Sequence, residues 1–246
     1  FLVKYCNIKR NSAQAWLSAS DVKRVRGPAI EPEMFRGHYC VGGIDLSQTT
    51  DLTSACLVIE RGGRLFAIWP FWLPAEKLEE AKARDQVPYD KYIERGWLTL
   101  AGDNFVDYKA VFEWFRSAVK NYKLMPLQIG YDRYSSQYLV QDLQAAGFHC
   151  DDVYQGFNLS GVIKEAEGLI KDECLMVGDN ELAVAHLLDT AVEADNRNNR
   201  LRIKKVNTQV HIDGTAALLC ALTVRQKWHK EYAAQLANTK HGAIDY

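Results

Sequence analysis

The succession of apolar runs in the first third of the chain does most to limit what it can fold into. Residues 39–46, 53–60 and 64–72 are each dominated by aliphatic and aromatic side chains, and the last two are separated only by Arg61-Gly62-Gly63. Paired glycines supply the positive φ of a tight hairpin, so these runs predict an antiparallel three-strand start. The pattern then changes period. Apolar residues at 111, 112, 115, 118, 119 and 122 follow helical spacing, which predicts an amphipathic helix over Asp107–Tyr122 and then a short buried strand over Leu127–Tyr131. Ser135 and Ser136 are placed to cap a helix running to Ala146, Gly147 suits its end, and 148–154 reads as a further strand. Helices near 160–172 and 180–190 follow, with a hairpin over 192–195 and 200–206 that turns through Asn196–Asn199. A last helix, 214–229, is apolar all round over its first nine residues and is expected to be mostly buried.

Outside this order the signals are weaker. Residues 8–37 are mixed and polar, with Pro28, Pro32, Gly27 and Gly37, and read as a connector with one short helix near Ala13–Ala19, so the packed domain is expected from about His38. The opening Phe1-Leu2-Val3-Lys4-Tyr5-Cys6 reads as the interior of a longer protein. Pro74 and the charged stretch Glu76–Arg84 suggest an exposed helix; with the aromatic segment Tyr89–Leu100 it reads as an insert able to form a flap over a site. The domain plan is thus a connector over 1–37, a domain over 38–230 and a tail over 231–246.

Hydrophobic content of 48% over 246 residues is enough for a sizeable core. Thirty basic against 31 acidic side chains leave a net charge of −1, so no bulk field draws in a polyanion and any grip on one must come from a local basic patch. The cysteines, at 6, 40, 56, 150, 174 and 220, form no C-x-x-C pair and read as reduced core residues of a reducing compartment. No run of 18 apolar residues offers a membrane span.

Chemistry concentrates in three aspartates at element ends. Asp45 closes the run Val41-Gly42-Gly43-Ile44, Asp132 closes Leu127-Gln128-Ile129-Gly130-Tyr131, and Asp213 opens the apolar helix. Remote along the chain, they cannot share a local loop of the EF-hand kind, and only a fold can bring them together. Carboxylates so gathered are hard oxygen donors suited to Mg²⁺ or Mn²⁺. Each aspartate alone also suits a turn or a helix N-cap, a purely structural role. Asp51 either closes the first hairpin as an Asx turn or lends a further carboxylate to the metal. Lys204 and Lys205, extended by Arg200 and Arg202, are candidate polyanion contacts or simply the charges of a solvated edge strand. Arg133 is a further such contact or an ion-pair partner of the neighbouring acid, and His211 a proton relay or a packed ring. Trp69, Trp72, Trp97 and Trp114 read as packing residues.

Three antiparallel strands, a β-α-β addition and a final acid-bearing helix are the order of a ribonuclease H-like fold, an α/β architecture with a central mixed sheet flanked by helices and here an extra β-hairpin. Within that order, Val41 to Thr53 resembles the opening strand and hairpin of the nuclease domain in tailed-phage terminase large subunits. Phe71-Trp72-Leu73-Pro74, Val87-Pro88-Tyr89-Asp90 and Gly96-Trp97-Leu98-Thr99-Leu100 are similar to that family's insert. Tyr131-Asp132-Arg133-Tyr134 with Leu139–Leu143 resembles its second acidic motif, and Ile212–Leu218 its third. Tyr5-Cys6-Asn7 and Ala15-Trp16-Leu17 look like the passage leaving its ATPase domain, so the likeness extends to about residue 225.

The resemblance implies a DNA endonuclease that cuts concatemeric viral DNA during genome packaging in the host cytoplasm. It implies double-stranded DNA as substrate, with the small terminase subunit and the portal as partners of the full-length protein. The same likeness makes Asp45, Asp132 and Asp213 the catalytic metal ligands, with Asp45 bridging two ions about 3.5–4 Å apart. No G-x-x-x-x-G-K-[ST] loop is present, so ATP hydrolysis is not expected of this chain. A resolvase or integrase of the same fold, and a non-catalytic module that grips DNA or docks on the portal, are the alternatives.

Overall fold

The computed structural model describes residues 14–46, 52–132, 137–195 and 197–241, with side chains through 235. Its first elements are strand β1 (Gln14–Ala15) and helix α1 (Ala19–Val25). A helix near Ala13–Ala19 is therefore corrected: the chain is extended at 14–15, and the helix begins only after Ser18. The reason is a reciprocal cap, in which the Ser18 hydroxyl accepts from the Asp21 N–H while the Asp21 carboxylate accepts from the Ser18 N–H. Trp16, Leu17, Val22 and Val25 are buried in the main core, so the packed body starts well before His38 despite the polar composition of this stretch.

Strands β2 (Tyr39–Asp45), β3 (Thr53–Arg61) and β4 (Arg64–Ile68) form the expected antiparallel meander, and Gly62 and Gly63 take φ of +61° and +77° in its tight turn. The third run does not continue to residue 72. Pro70 has no N–H to give a ladder, and the strand breaks there into β4 and a separate β5 (Phe71–Leu73), which pairs with Thr53 and Ser54 at the start of β3.

The insert holds α2 (Leu78–Asp85), α3 (Tyr89–Glu94) and β6 (Leu98–Leu100). A flap is not what it forms: Ala81, Tyr89, Tyr92 and Leu98 belong to the main core, and β6 adds to the sheet parallel to β5. Helix α4 (Tyr108–Tyr122), capped by the Asp107 carboxylate, leads into β7 (Met125–Asp132), and α5 (Gln137–Ala145) into β8 (Cys150–Val153). After α6 (Ser160–Lys171), β9 (Leu175–Met176) and α7 (Glu181–Leu188), strands β10 (Thr190–Ala194) and β11 (Leu201–Lys205) make the hairpin. Helix α8 (Asp213–Lys227) is followed by α9 (His229–His241), where a tail was expected. Buried Tyr232 secures α9, its hydroxyl accepting from the Glu60 N–H.

The eight-stranded sheet runs β6-β5-β3-β2-β7-β8, with β4 against β3 and β9 against β4. β2, β7 and β8 are mutually parallel, whereas β3 runs against β2. This is the mixed, ribonuclease H-like sheet anticipated from the order of elements. One core packs α6, α7 and α8 on one face, and a second packs α4 and α5 on the other. The extra hairpin joins β1 in a separate antiparallel sheet of order β1-β10-β11.

Candidate active site

Two glycines bring the acidic strand ends under the last long helix. A Cβ on Gly43 of β2 would lie 1.9 Å from the Ala217 carbonyl oxygen, and one on Gly130 of β7 would lie 2.4 Å from that of Cys220. Helix α8 therefore rests on the backbone of both strands, at a separation no side chain permits. Gly43 and Gly130 are register partners, as are Ile44 and Tyr131. Because strand side chains alternate, Asp45 and Asp132 point to the α8 face, side by side at the ends of parallel neighbours. Both charges reach the Cys220 thiol beneath them: burial chiefly, then Asp45 and Asp132, push its pKa far above the ordinary thiol value.

Asp213 lies in the first turn of the same helix. It is two turns, about 10 Å, from Cys220. Its neighbours form a second polar cluster. Asp213 Oδ2 is 3.6 Å from His211 Nδ1, and the opposite ring nitrogen, Nε2, is 2.9 Å from Asp85 Oδ2. Asp85 also accepts from Arg84 Nε at 2.6 Å, from a terminal Arg84 nitrogen at 2.9 Å and from the Tyr89 hydroxyl at 2.9 Å. The His211 ring stacks on His186 with centroids 6.2 Å apart, and His186 Nδ1 accepts from the Gly214 N–H at 2.9 Å. Asp45 and Asp132 are thus brought together, while Asp213 sits with His211 and Asp85. Among the described residues, no three His, Cys, Asp or Glu side chains are grouped so as to hold a metal ion.

The remaining candidates fall elsewhere. Asp51 and Arg133 lie outside the described residues. Arg202 and Lys204 both contact Glu193 Oε2, at 2.6 and 3.2 Å, so the hairpin is not a bare basic strip. Arg202 also lies 5.0 Å over the Phe157 ring, and Arg200 donates to the Phe157 carbonyl and to Asn158 Oδ1. Lys205 pairs with Thr190 in the ladder, and β11 is an edge strand of the smaller sheet. Trp69 and Trp72 are buried packing residues, as their sequence context predicts.

Sequence reasoning missed Asp85 and Arg84. They close a strongly charged helix that reads as solvent-facing, and the one local signal was Tyr89, four residues on at the start of α3, whose hydroxyl donates to Asp85. Burial alone would raise the Asp85 carboxyl; the hydrogen bonds from Arg84, Tyr89 and His211, with the His211 charge, outweigh it and hold the group below its ordinary 3.8. A carboxylate depressed in the folded state stabilises above its unfolded pKa and stops doing so as pH falls through the folded value. Asp85→Asn should therefore lower Tm near neutrality and lose less than the parent between about pH 5 and pH 3, as pH-dependent thermal melts would reveal.

Among the described residues, no helix is long and apolar enough to cross a membrane. Residues 1–228 match the family profile described as the endonuclease domain of the terminase large subunit. The chain is 27% identical over 180 residues to the terminase large subunit of Enterobacteria phage HK97, covering 72% of this chain and 35% of that protein. It is 24% identical over 245 residues to protein YmfN of Escherichia coli K12, covering 94% of this chain and 53% of that protein. The chain thus spans only part of the relatives it matches. Its fold superposes on the HK97 large terminase crystal structure with a TM-score of 0.76 at 22% identity, over 87% of this chain and 44% of that one. The large terminase nuclease of thermophilic phage G20c, crystallised with magnesium, gives 0.56 at 10% identity over 85% of this chain and 97% of that one; its cobalt-bound form gives 0.54 at 10% identity, over 83% and 95%. With its ribonuclease H-like sheet and a family match running from the first residue into α8, this chain belongs to the terminase large subunit endonuclease-domain family.

Proposed function

We propose that the chain is a metal-dependent DNA endonuclease which cuts concatemeric viral DNA during packaging in the host cytoplasm, as part of a protein that engages the small terminase subunit and the portal. The observation that carries this reading is the placement of Asp45 and Asp132 at the ends of neighbouring parallel strands, both facing α8. The donor set fits a hard divalent cation, since it is made of carboxylate oxygens and the thiol beneath it is held protonated by burial. The magnesium and cobalt bound in the G20c nuclease support the same choice.

Asp45 and Asp132 would hold the Mg²⁺ or Mn²⁺, two ions in all, with Asp213 completing the carboxylate set and Asp51 adding a further oxygen. When bound, the ions neutralise charge developing at the scissile phosphate and acidify the attacking water. The protein's own part is positional. The strand ends fix two carboxylates, and the α8 N-terminus holds the third. Lys204, Lys205, Arg200, Arg202 and Arg133 are the proposed phosphate contacts, Arg202 and Lys204 exchanging Glu193 for the DNA backbone.

Supercoiled plasmid incubated with the 246-residue chain should be nicked and linearised in millimolar Mn²⁺ or Mg²⁺, and EDTA should abolish cutting. An RNA–DNA hybrid should be cut far more slowly. Cutting that persists in EDTA would sink the proposed chemistry, preference for the hybrid would favour a ribonuclease, and no cutting in either metal would favour a DNA- or portal-docking module.

A further inference from the structure

The insert reaches the candidate site through one histidine. Asp85 closes α2, and its side chain is 1% exposed. Arg84 meets it with two donors and Tyr89 with a third, and His211 adds a fourth contact that acts on both partners, helping to hold the Asp85 charge and fixing the histidine. His211 Nε2 lies 2.9 Å from Asp85 Oδ2 and 3.1 Å from a terminal Arg84 nitrogen, and the pair of contacts orients the ring. Nδ1, on the other side, is left facing Asp213 Oδ2 at 3.6 Å. Stacking on His186 with an interplanar angle of 23° opposes rotation of the ring, while the Gly214 N–H bonded to His186 anchors the backbone beside Asp213.

We infer that Asp85 is a positioning residue: through His211 it sets the orientation of the Asp213 carboxylate, so that the insert helix α2 tunes the affinity of the candidate site for its cation. The inference rests on the proposed role of Asp213 as a ligand. Carboxylates that orient a group touching a metal ligand characteristically contribute 10–100-fold in metal affinity or activity.

The test is Mn²⁺ binding by calorimetry to the 246-residue chain, read beside plasmid cutting. His211→Phe keeps the ring and its stacking but deletes both nitrogen contacts; Asp85→Ala deletes the acceptor. Each should weaken Mn²⁺ binding by about 10–100-fold, and the double variant should be no weaker than the worse single one, as expected of links in one chain. Cutting by both should recover when Mn²⁺ is raised in proportion. Ala81→Gly, which loosens the same helix without touching the relay, should lower Tm and leave Mn²⁺ affinity unchanged. Wild-type affinity in His211→Phe, or equal weakening in Ala81→Gly, overturns the inference. Asp45→Asn separates the two readings: if it abolishes Mn²⁺ binding while His211→Phe leaves it intact, only the positioning role falls. A wild-type chain that binds no Mn²⁺ removes the proposed site and this inference with it.

Discussion

Replacing Gly43 with alanine should cost the protein about 4 kcal/mol of stability and lower its Tm by roughly 10 °C. The added methyl carbon would stand 1.9 Å from the Ala217 carbonyl oxygen and 2.5 Å from the Ala221 nitrogen, both backbone atoms of α8. No rotamer relieves a clash with backbone, so the helix itself must lift. Every residue from Asp213 to Leu222 is buried, and a displaced α8 opens gaps along the sheet instead of in one spot. The loss therefore exceeds the 1–3 kcal/mol usual for an overpacked core position. Gly168→Ala is the control: in α6 a Cβ at that position meets nothing within 4 Å, and the helix gains from the better helix former. Paired thermal melts in which Gly43→Ala matched Gly168→Ala would mean that α8 does not rest on β2 as described.

The second large effect is chemical. Asp45→Asn is expected to slow plasmid cutting by about 10³-fold while leaving Tm within a few degrees of the parent. Asparagine keeps the shape of the side chain at the end of β2 and its place beside Asp132, but it cannot supply the charge that a divalent ion requires. A lost ligand forfeits several kcal/mol of transition-state stabilisation, and about 4 kcal/mol corresponds to three decades in rate. Removing one member of an acid pair also relieves their mutual repulsion, so the metal-free protein is not weakened. Cutting at the parental rate by a folded Asp45→Asn protein would dismiss Asp45 as a ligand.

What could be read in advance followed from periodicity. The meander of β2, β3 and β4 was legible because its runs are long and its turn carries Gly62 and Gly63, and α4 because its apolar stripe keeps helical spacing. That Asp45 and Asp132 stand at strand ends was legible because both close apolar runs. Less could be read where one residue outweighs a pattern. Pro70 divides an otherwise continuous apolar run, and the cap at Ser18 moves a helix start by several residues. The burial of Asp85 depends on a histidine 126 residues away, which no local window contains. The pairing of β1 with β10 was hidden because a two-residue strand has no period to detect. The length of chain that packs before His38 was hidden too, its few apolar residues being scattered among polar ones.

That short pairing has a mechanical consequence. Gln14 and Ala15 are stitched to Val192 and Ala191, and the Trp16 N–H continues the seam to the Thr190 carbonyl. Tension applied to the backbone ahead of Gln14 would be felt by the arginine- and lysine-bearing ribbon of β10 and β11 before it reached β2, where Asp45 is anchored. A pull on Gln14 and Ala15 would thus load the cationic ribbon they pair with ahead of the strand that ends in the acid.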